Sequence, residues 1–397
     1  MLTALFIFSI QTITPAQMAT NLPLDNQDAS RRQIDCIFKR MQQPYQLLNL
    51  PWLRARQEVR LNRLDGYFSA ILLSEMEPFG ELSAPLYLEN WYWIEHLQSA
   101  TLPGQDKVLG AVRGSHQQKW FQLMAETVTT EVNTDEELVR LLQLKRVDRI
   151  LMDLEVFQLN AERLGLNQSD YQLRFFRYVP LGVYFSNQFL QLRQQFLSRF
   201  NALIAGCSQQ SFALSPQEQQ LILQRVLPQA QALARRQDVQ QALRAAKQQR
   251  WTEQQILQQD QQWIEEVELG IATLAKQMLQ SPLSMQLQQF QQSANGQIAE
   301  IILMDVQGRN VAISEITSDF WQGDETKYQQ VFGTKQSYFL DEVQFDASTA
   351  RFLTQLSIPV IAADGRQLGV LTLGLDVETS LQHCQLNGAS VGSCAEQ

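Results

Sequence analysis

Ile301-Ile302-Leu303-Met304-Asp305 is an apolar run fit for a buried strand; Gly308 breaks it and Asn310-Val311-Ala312-Ile313-Ser314 resumes it. A polar, aromatic loop follows, Thr317-Ser318-Asp319-Phe320-Trp321-Gln322-Gly323-Asp324-Glu325. Downstream, Phe352, Thr354, Leu356, Ile358 and Val360 alternate with their neighbours, and Asp364-Gly365 turns the chain into Leu368 to Leu375. A period of two closed by Asp-Gly predicts a hairpin. Residues 305–376 therefore read as one antiparallel module, its sheet the scaffold and its loop the source of hydrogen-bonding groups.

Upstream, residues 209–295 are rich in Gln and poor in Gly and Pro. Ser215-Pro216-Gln217-Glu218 combines a capping box with proline at the first helical position. Thr252-x-x-Gln255 opens another helix, on which Ile256, Trp263, Val267, Ile271, Leu274 and Met278 recur every three or four residues. That helix is predicted to reach Ser281-Pro282, about 28 residues and ~42 Å long. Its single apolar stripe calls for one covered face, packed along the sheet. A homodimer seam through the same helix is the alternative.

The Ser314-x-x-Thr317 to Glu325 stretch, the "EIILMD" strand and the paired C-terminal strands resemble the extracytoplasmic PAS-like sensor domains called PDC or single Cache domains, over residues 210 to 380. The resemblance implies an α+β domain with a long N-terminal helix, a small polar metabolite under the loops, and sensing without catalysis. Asp319, Trp321, Gln322 and Asp324 are the candidate pocket residues, with Tyr338, Gln355 and Ser357 closing it from the strands. Two carboxylates favour an amine-bearing ligand or a metal ion, although their spacing does not fit an EF-hand loop. The competing reading has the Trp plugging the end of the sheet and the Asp residues capping turns.

From Arg31 to about Cys207, helical and strand patterns alternate, which implies a mostly parallel sheet. Residues 31–42 and Pro51 to Asn62 read as helices; Asp65 to Ser69, Pro85 to His96, Lys107 to Val112 and Arg149 to Met152 read as strands. Thr134-x-x-Glu137 opens a further helix. The segments "PWLRARQEVRLNRLDGYFS", "LSAPLYLENWYW", "LGAVRGSHQQKWF", "LVRLLQLKRVDRILMD" and "PLGVYFSNQFLQLRQQFLSRFNALI" resemble the family 3 bacterial solute-binding proteins. The resemblance implies two α/β lobes joined by crossing strands near Trp91–Glu95 and Phe176–Val179. Lobe one would comprise residues 31–90 and 180–205, and lobe two residues 105–175, with a ligand between them.

Within that frame, Gly114-Ser115-His116 lies where a strand enters a helix, whose free N–H groups and dipole favour an anion; Ser115 as a plain helix cap is the competing reading. Asp153 ends a strand facing the cleft, and the resemblance gives it the ligand's amino group; capping a loop is the alternative. Trp91 and Trp93 would stack on a flat ligand or fill the core. Arg113 would pair with an anion or stay exposed. The pattern departs from the family twice. Only Asn21 to Ser30 precede the first helix, too few for the family's first strand and loop. Leu72-Leu73-Ser74-Glu75-Met76-Glu77 contains no Arg where amino-acid importers carry one.

The 397 residues carry a net charge of −9 and no dense Lys/Arg patch, which argues against nucleic acid as a partner. Leu2 to Ile10 is apolar but far short of the ~20 residues of a membrane span; residues 1–19 fit an export signal with cleavage near Ala16 or Ala19, a buried first strand being the alternative. Four cysteines suit an oxidising compartment. Cys36–Cys207 and Cys384–Cys394 are the expected disulfides, each within one proposed domain, although three connectivities or free thiols are open. With three His and no nucleophile, P-loop or dinucleotide motif, no enzyme, metal or cofactor is expected.

The chain thus reads as an α/β two-lobed periplasmic-binding-protein-like domain (20–208), a helical Gln-rich segment (209–295), a PDC/Cache-like α+β domain (296–380) and a tail (381–397). The expected role is a periplasmic protein that binds a small polar solute (amino-acid-like, amine or organic acid) and signals to a membrane partner. Solute delivery to an ABC permease, or an interaction protein with a degenerate cleft, are the alternatives.

Overall fold

A computed structural model describes residues 14–21, 29–97, 107–207, 214–346, 351–382, 384–387 and 390–394. The chain divides into two compact units. The first is Met1–Asn167 with Tyr178–Ser211; the second is Gln168–Arg177 with Phe212–Gln397. Among the described residues no helix is long and apolar enough to cross a membrane. The apolar stretch Leu2 to Ile10 and the third histidine, His383, lie outside the described residues.

The first unit runs β1 (Ala16–Thr20), α1 (Ala29–Arg40), β2 (Tyr45–Asn49), α2 (Trp52–Arg60), β3 (Gly66–Ala70), β4 (Gly80–Leu82) and β5 (Tyr87–His96). It continues through β6 (Leu109–Val112), α3 (His116–Leu123), β7 (Thr130–Val132), α4 (Asp135–Gln143), β8 (Arg149–Asp153), α5 (Leu154–Leu164), β9 (Tyr171–Ser186, its part up to Arg177 counted with the second unit), α6 (Asn187–Gln191) and α7 (Phe196–Cys207). The sheet order is β2-β1-β3-β9-β5-β8-β6-β7, with β4 also on β9. β1 lies parallel to β2 and β3, and β6 parallel to β7 and β8. The two parallel triplets are joined through β9 and β5, each antiparallel to its neighbouring triplet. Two α/β lobes connected by two crossing strands follow directly.

β1 corrects the expectation that the first strand is missing. The first strand is present, and it overlaps only the end, Ala16–Ala19, of the residues 1–19 assigned to the export signal. Ala16, Met18, Ala19 and Thr20 are buried between its neighbours, so a cut after Ala16 leaves the strand nearly whole whereas a cut after Ala19 does not. Its small residues suit a strand flanked on both edges by β2 and β3. Lobe one packs Phe38, Phe185, Phe189, Phe196 and Phe200 into one cluster with Ile34 and Ile37; each such side chain contributes roughly 1.5–3 kcal/mol when fully buried. At the edge of this cluster Cys36 and Cys207 form a disulfide across 171 residues, with Cα atoms 5.7 Å apart.

The second unit begins with five helices, α8 (Pro216–Ala234), α9 (Gln237–Gln248), α10 (Glu253–Glu268), α11 (Thr273–Leu279) and α12 (Pro282–Ser293). Its sheet follows: β10 (Ile298–Asp305), β11 (Asn310–Ile313), the short α13 (Thr326–Gln329), β12 (Phe339–Leu340), β13 (Gln344–Asp346), β14 (Arg351–Ile361) and β15 (Gln367–Asp376). α14 (Val377–Leu381), β16 (Cys384–Asn387) and β17 (Ser390–Cys394) complete it. The order β11-β10-β15-β14-β12, with β13 also on β14, is antiparallel throughout.

Both capping boxes form at Ser215–Glu218 and Thr252–Gln255. The long helix from Thr252 to Ser281 does not. It stops at Glu268, because Gly270 turns left-handed (φ 72°) and its N–H returns to Val267 O; a left-handed glycine closes a helix that side-chain periodicity alone would continue. Several shorter helices therefore take the place of one long one. The tail is corrected too: β16 and β17 form a hairpin, and β16 pairs with the Leu173–Arg174 part of β9. Cys384 stands opposite Cys394 in that hairpin and is disulfide-bonded; the Cys394 side chain lies outside the described residues.

Candidate functional site

The carboxyl ends of β1 and β3 and the start of α3 meet in the first unit. Parallel strands expose unpaired backbone at these ends, which is where open α/β sheets hold ligands. At Ser69 the β3 backbone turns left-handed (φ 64°) and the register against β9 shifts between Phe68 and Ala70. This bulge re-aims the Ser69 carbonyl. It accepts from His116 Nε2 at 2.8 Å and from Trp52 Nε1 at 3.2 Å, so residues of lobe two and lobe one share one acceptor. A carbonyl cannot donate, so Nε2 carries the imidazole proton. Burial holds the ring neutral, lowering its pKa from near 6.5 to about 4.

Three enclosed polar atoms of β3 and α3 lack any hydrogen-bond partner among the described residues: His116 Nδ1, Ser69 Oγ and, two residues back along β3, Tyr67 Oη. Their residues are 2%, 2% and 1% exposed. Asn21 Oδ1, one residue beyond β1, is a fourth. A second bridge joins the lobes where Lys119 Nζ donates to Glu75 Oε2 at 2.8 Å. Glu75 also faces Arg60 at 3.4 Å and Arg56 at 3.9 Å. The Lys119 hydrogen bond, opposed by burial, holds the Glu75 carboxyl below its usual range.

The other first-unit candidates have structural partners. Ser115 caps α3, its Oγ accepting from Gln118 N at 3.1 Å, and Gln118 Oε1 takes the Gly114 N–H. The helix start that suggested an anion site is thus capped by its own side chains. Asp153 caps α5 through Val156 N and holds Asn90 N at 2.8 Å, and burial raises its pKa. Trp91 is buried in β5 and donates to Glu89 at 2.7 Å. Burial, and then the Asp153 charge, pushes Glu89 upward; only part of the residue reaches solvent, and the carboxyl end beside Trp91 is the enclosed part. Trp93 lies under the Arg149 guanidinium, 3.9 Å from its ring centre. Arg113 is exposed and bonds Glu131 and Asn133.

In the second unit the loop 317–325 is pinned rather than open. Asp260 on α10 accepts from Phe320 N at 2.9 Å and Trp321 N at 2.8 Å; Trp263 donates to Thr317 O at 2.9 Å. Trp321 Nε1 bonds Gln307 O at 2.8 Å. A side chain on Gly308 would come within 2.5 Å of Gly323, so only glycine permits this closure. Gln322 is fully buried and donates to Asp319. Asp324 is exposed, Tyr338 is 39% exposed, and Gln355 bonds Glu300 at 2.9 Å. Ser357 and Thr372 share a buried hydrogen bond of 2.7 Å. A shallow pocket of about 250 Å³ is lined by Trp321 with Glu253, Ile256, Leu257 and Gln307, and by none of the other candidates. No group of three His, Cys, Asp or Glu among the described residues is placed to hold a metal.

Sequence reading missed Ser69, Arg56, Glu75, Lys119 and Asp260. Only the Asp65-Gly66 strand and the start of α3 signalled the neighbourhood of the first four; nothing local marked Asp260.

The sequence matches no protein-family model and no curated protein. Solved structures give partial likenesses. The glutamate-bound GluR0 ligand-binding core of Nostoc punctiforme is 16% identical, over 48% of this chain and 92% of its own, with a TM-score of 0.40. The arginine-, lysine-, histidine-binding protein ArtJ of Geobacillus stearothermophilus is 12% identical over 49% and 89%, with a TM-score of 0.39. A histidine kinase sensor domain with similarity to periplasmic binding proteins is 12% identical over 48% and 89%, with a TM-score of 0.41.

Proposed function

We propose that this chain is an extracytoplasmic ligand-binding protein. Its two-lobed unit holds a small polar solute between the lobes and passes the resulting closure to a membrane sensor or permease, without catalysing a reaction. The observation that carries this reading is the pair of partnerless buried atoms, Ser69 Oγ and His116 Nδ1, on residues that meet across the lobes, with Tyr67 Oη two residues back along β3. Leaving such a group unpaired costs about 1–3 kcal/mol, so a hydrogen-bonding guest recovers what folding leaves unmet. The disulfide at Cys36 and Cys207 suits an oxidising compartment. The second unit, PDC/Cache-like in this reading, serves as an accessory module.

Thermal-shift screening of the full chain with amino acids, amines and organic acids tests it. A stabilising solute whose effect vanishes in the Ser69→Ala/Tyr67→Phe double variant is the expected result. A specific observation favours a second reading, that of an interaction protein: the lobes already bond each other directly through His116–Ser69 and Lys119–Glu75. No shift with any solute, in the wild type or in Lys119→Met, supports that second reading.

A further inference from the structure

Three cations from the two lobes converge on one carboxylate. Arg56 and Arg60 on α2 and Lys119 on α3 all address Glu75, and among the described residues none has another carboxylate partner. Three positive charges against one leave a surplus of two. Arg56 is the telling member: its side chain is 5% exposed, yet its only carboxylate lies 3.9 Å away. A buried guanidinium so weakly paired is unfavourable unless further oxygens reach it. The Arg56 charge acts on both the Tyr67 phenol and the His116 ring. Asp153, the carboxylate that would attract an amine, is bonded to the N–H groups of Asn90 and Val156.

We infer that the cleft selects a compact anion, whose carboxylate or phosphate oxygens take the Arg56 guanidinium and the Tyr67 and Ser69 hydroxyls in competition with Glu75. This rests on the cleft being a ligand site, as proposed above. Glu75 is then a built-in competitor, and a tether between lobes that the guest replaces.

Calorimetric titration of the full-length protein with succinate, inorganic phosphate and putrescine at low ionic strength tests this. Succinate or phosphate is expected to bind, and whichever binds assigns the anion to paired carboxylates or to a phosphate group. Arg56→Gln should weaken binding at least about tenfold, the worth of one charge-assisted hydrogen bond. Arg60→Gln, on a half-exposed side chain, covers the case in which Arg56→Gln does not fold, and should weaken binding by a few fold. Glu75→Gln should tighten binding, because it removes the competitor. Absence of anion binding in both wild type and Glu75→Gln overturns the inference. Putrescine binding that is lost in Ser69→Ala/Tyr67→Phe would then leave the cleft as a ligand site of the opposite charge preference, whereas no binding of any probe removes the site itself.

Discussion

The cleft around Ser69 and the loop around Trp321 are both polar, aromatic and close to strand ends, yet they are built in opposite ways. In the loop, a helix carboxylate and a helix indole seize the backbone from outside, and two glycines close it. In the cleft, the bonds run between two lobes, few in number, with excess cation and partnerless hydroxyls beside them. Chemical richness in a sequence therefore does not distinguish a buttress from a cleft whose polar groups are left unmatched. What distinguishes them is whether the polar groups are already committed to the fold.

The contrast can be broken at four points. Removing the disulfide with Cys36→Ser should cost the first unit about 2–5 kcal/mol, the range expected for a long closed loop; hydrogen exchange should show the loss in β1 and β3 while β10 and β15 keep their protection. Acid acts next. His116 titrates at about 4 when folded and near 6.5 when unfolded, so between these values the unfolded chain binds more protons and stability falls as pH falls. The full effect is roughly 3 kcal/mol at about 1.4 kcal/mol per pH unit, and urea melts from pH 7 to pH 4 should show it in wild type and not in His116→Gln.

Asp260→Ala removes two charge-assisted bonds from the loop and should cost about 2 kcal/mol, read as faster exchange at Phe320 and Trp321 with no change at Ser69. Lys119→Met breaks a partly exposed bridge and should cost under about 1 kcal/mol. Its larger signature is geometric: spin-label distances across the cleft should lengthen. An unchanged distance would mean that the His116–Ser69 bond alone sets the closure.

The strands and caps were largely readable, because they depend on neighbours in sequence. Asp65-Gly66 opens β3, Asp364-Gly365 turns β14 into β15, and Ser215 and Thr252 start their helices where the pattern places them. The failures share a cause. Gly270 ends α10 through backbone geometry that an apolar stripe does not register. The first strand, Ala16 to Thr20, is weakly marked because it is short and, Thr20 aside, lacks the β-branched and aromatic residues that mark a strand. The site was harder still. Arg56, Glu75 and Lys119 come from three separate segments, and only the fold makes one cluster of them. Asp260 acts across 60 residues of chain, so no local motif announces it.

A serine held in a glycine conformation has one more implication. The twisted peptide at position 69 is maintained by the surrounding sheet and not by its own preference, and it serves donors from both halves of the cleft at once. Should the β3 edge relax, that oxygen swings away and both indole and imidazole let go in the same instant. The imidazole bond between the lobes is therefore lost in one event with the indole bond, and the Lys119–Glu75 bridge is what remains to hold them.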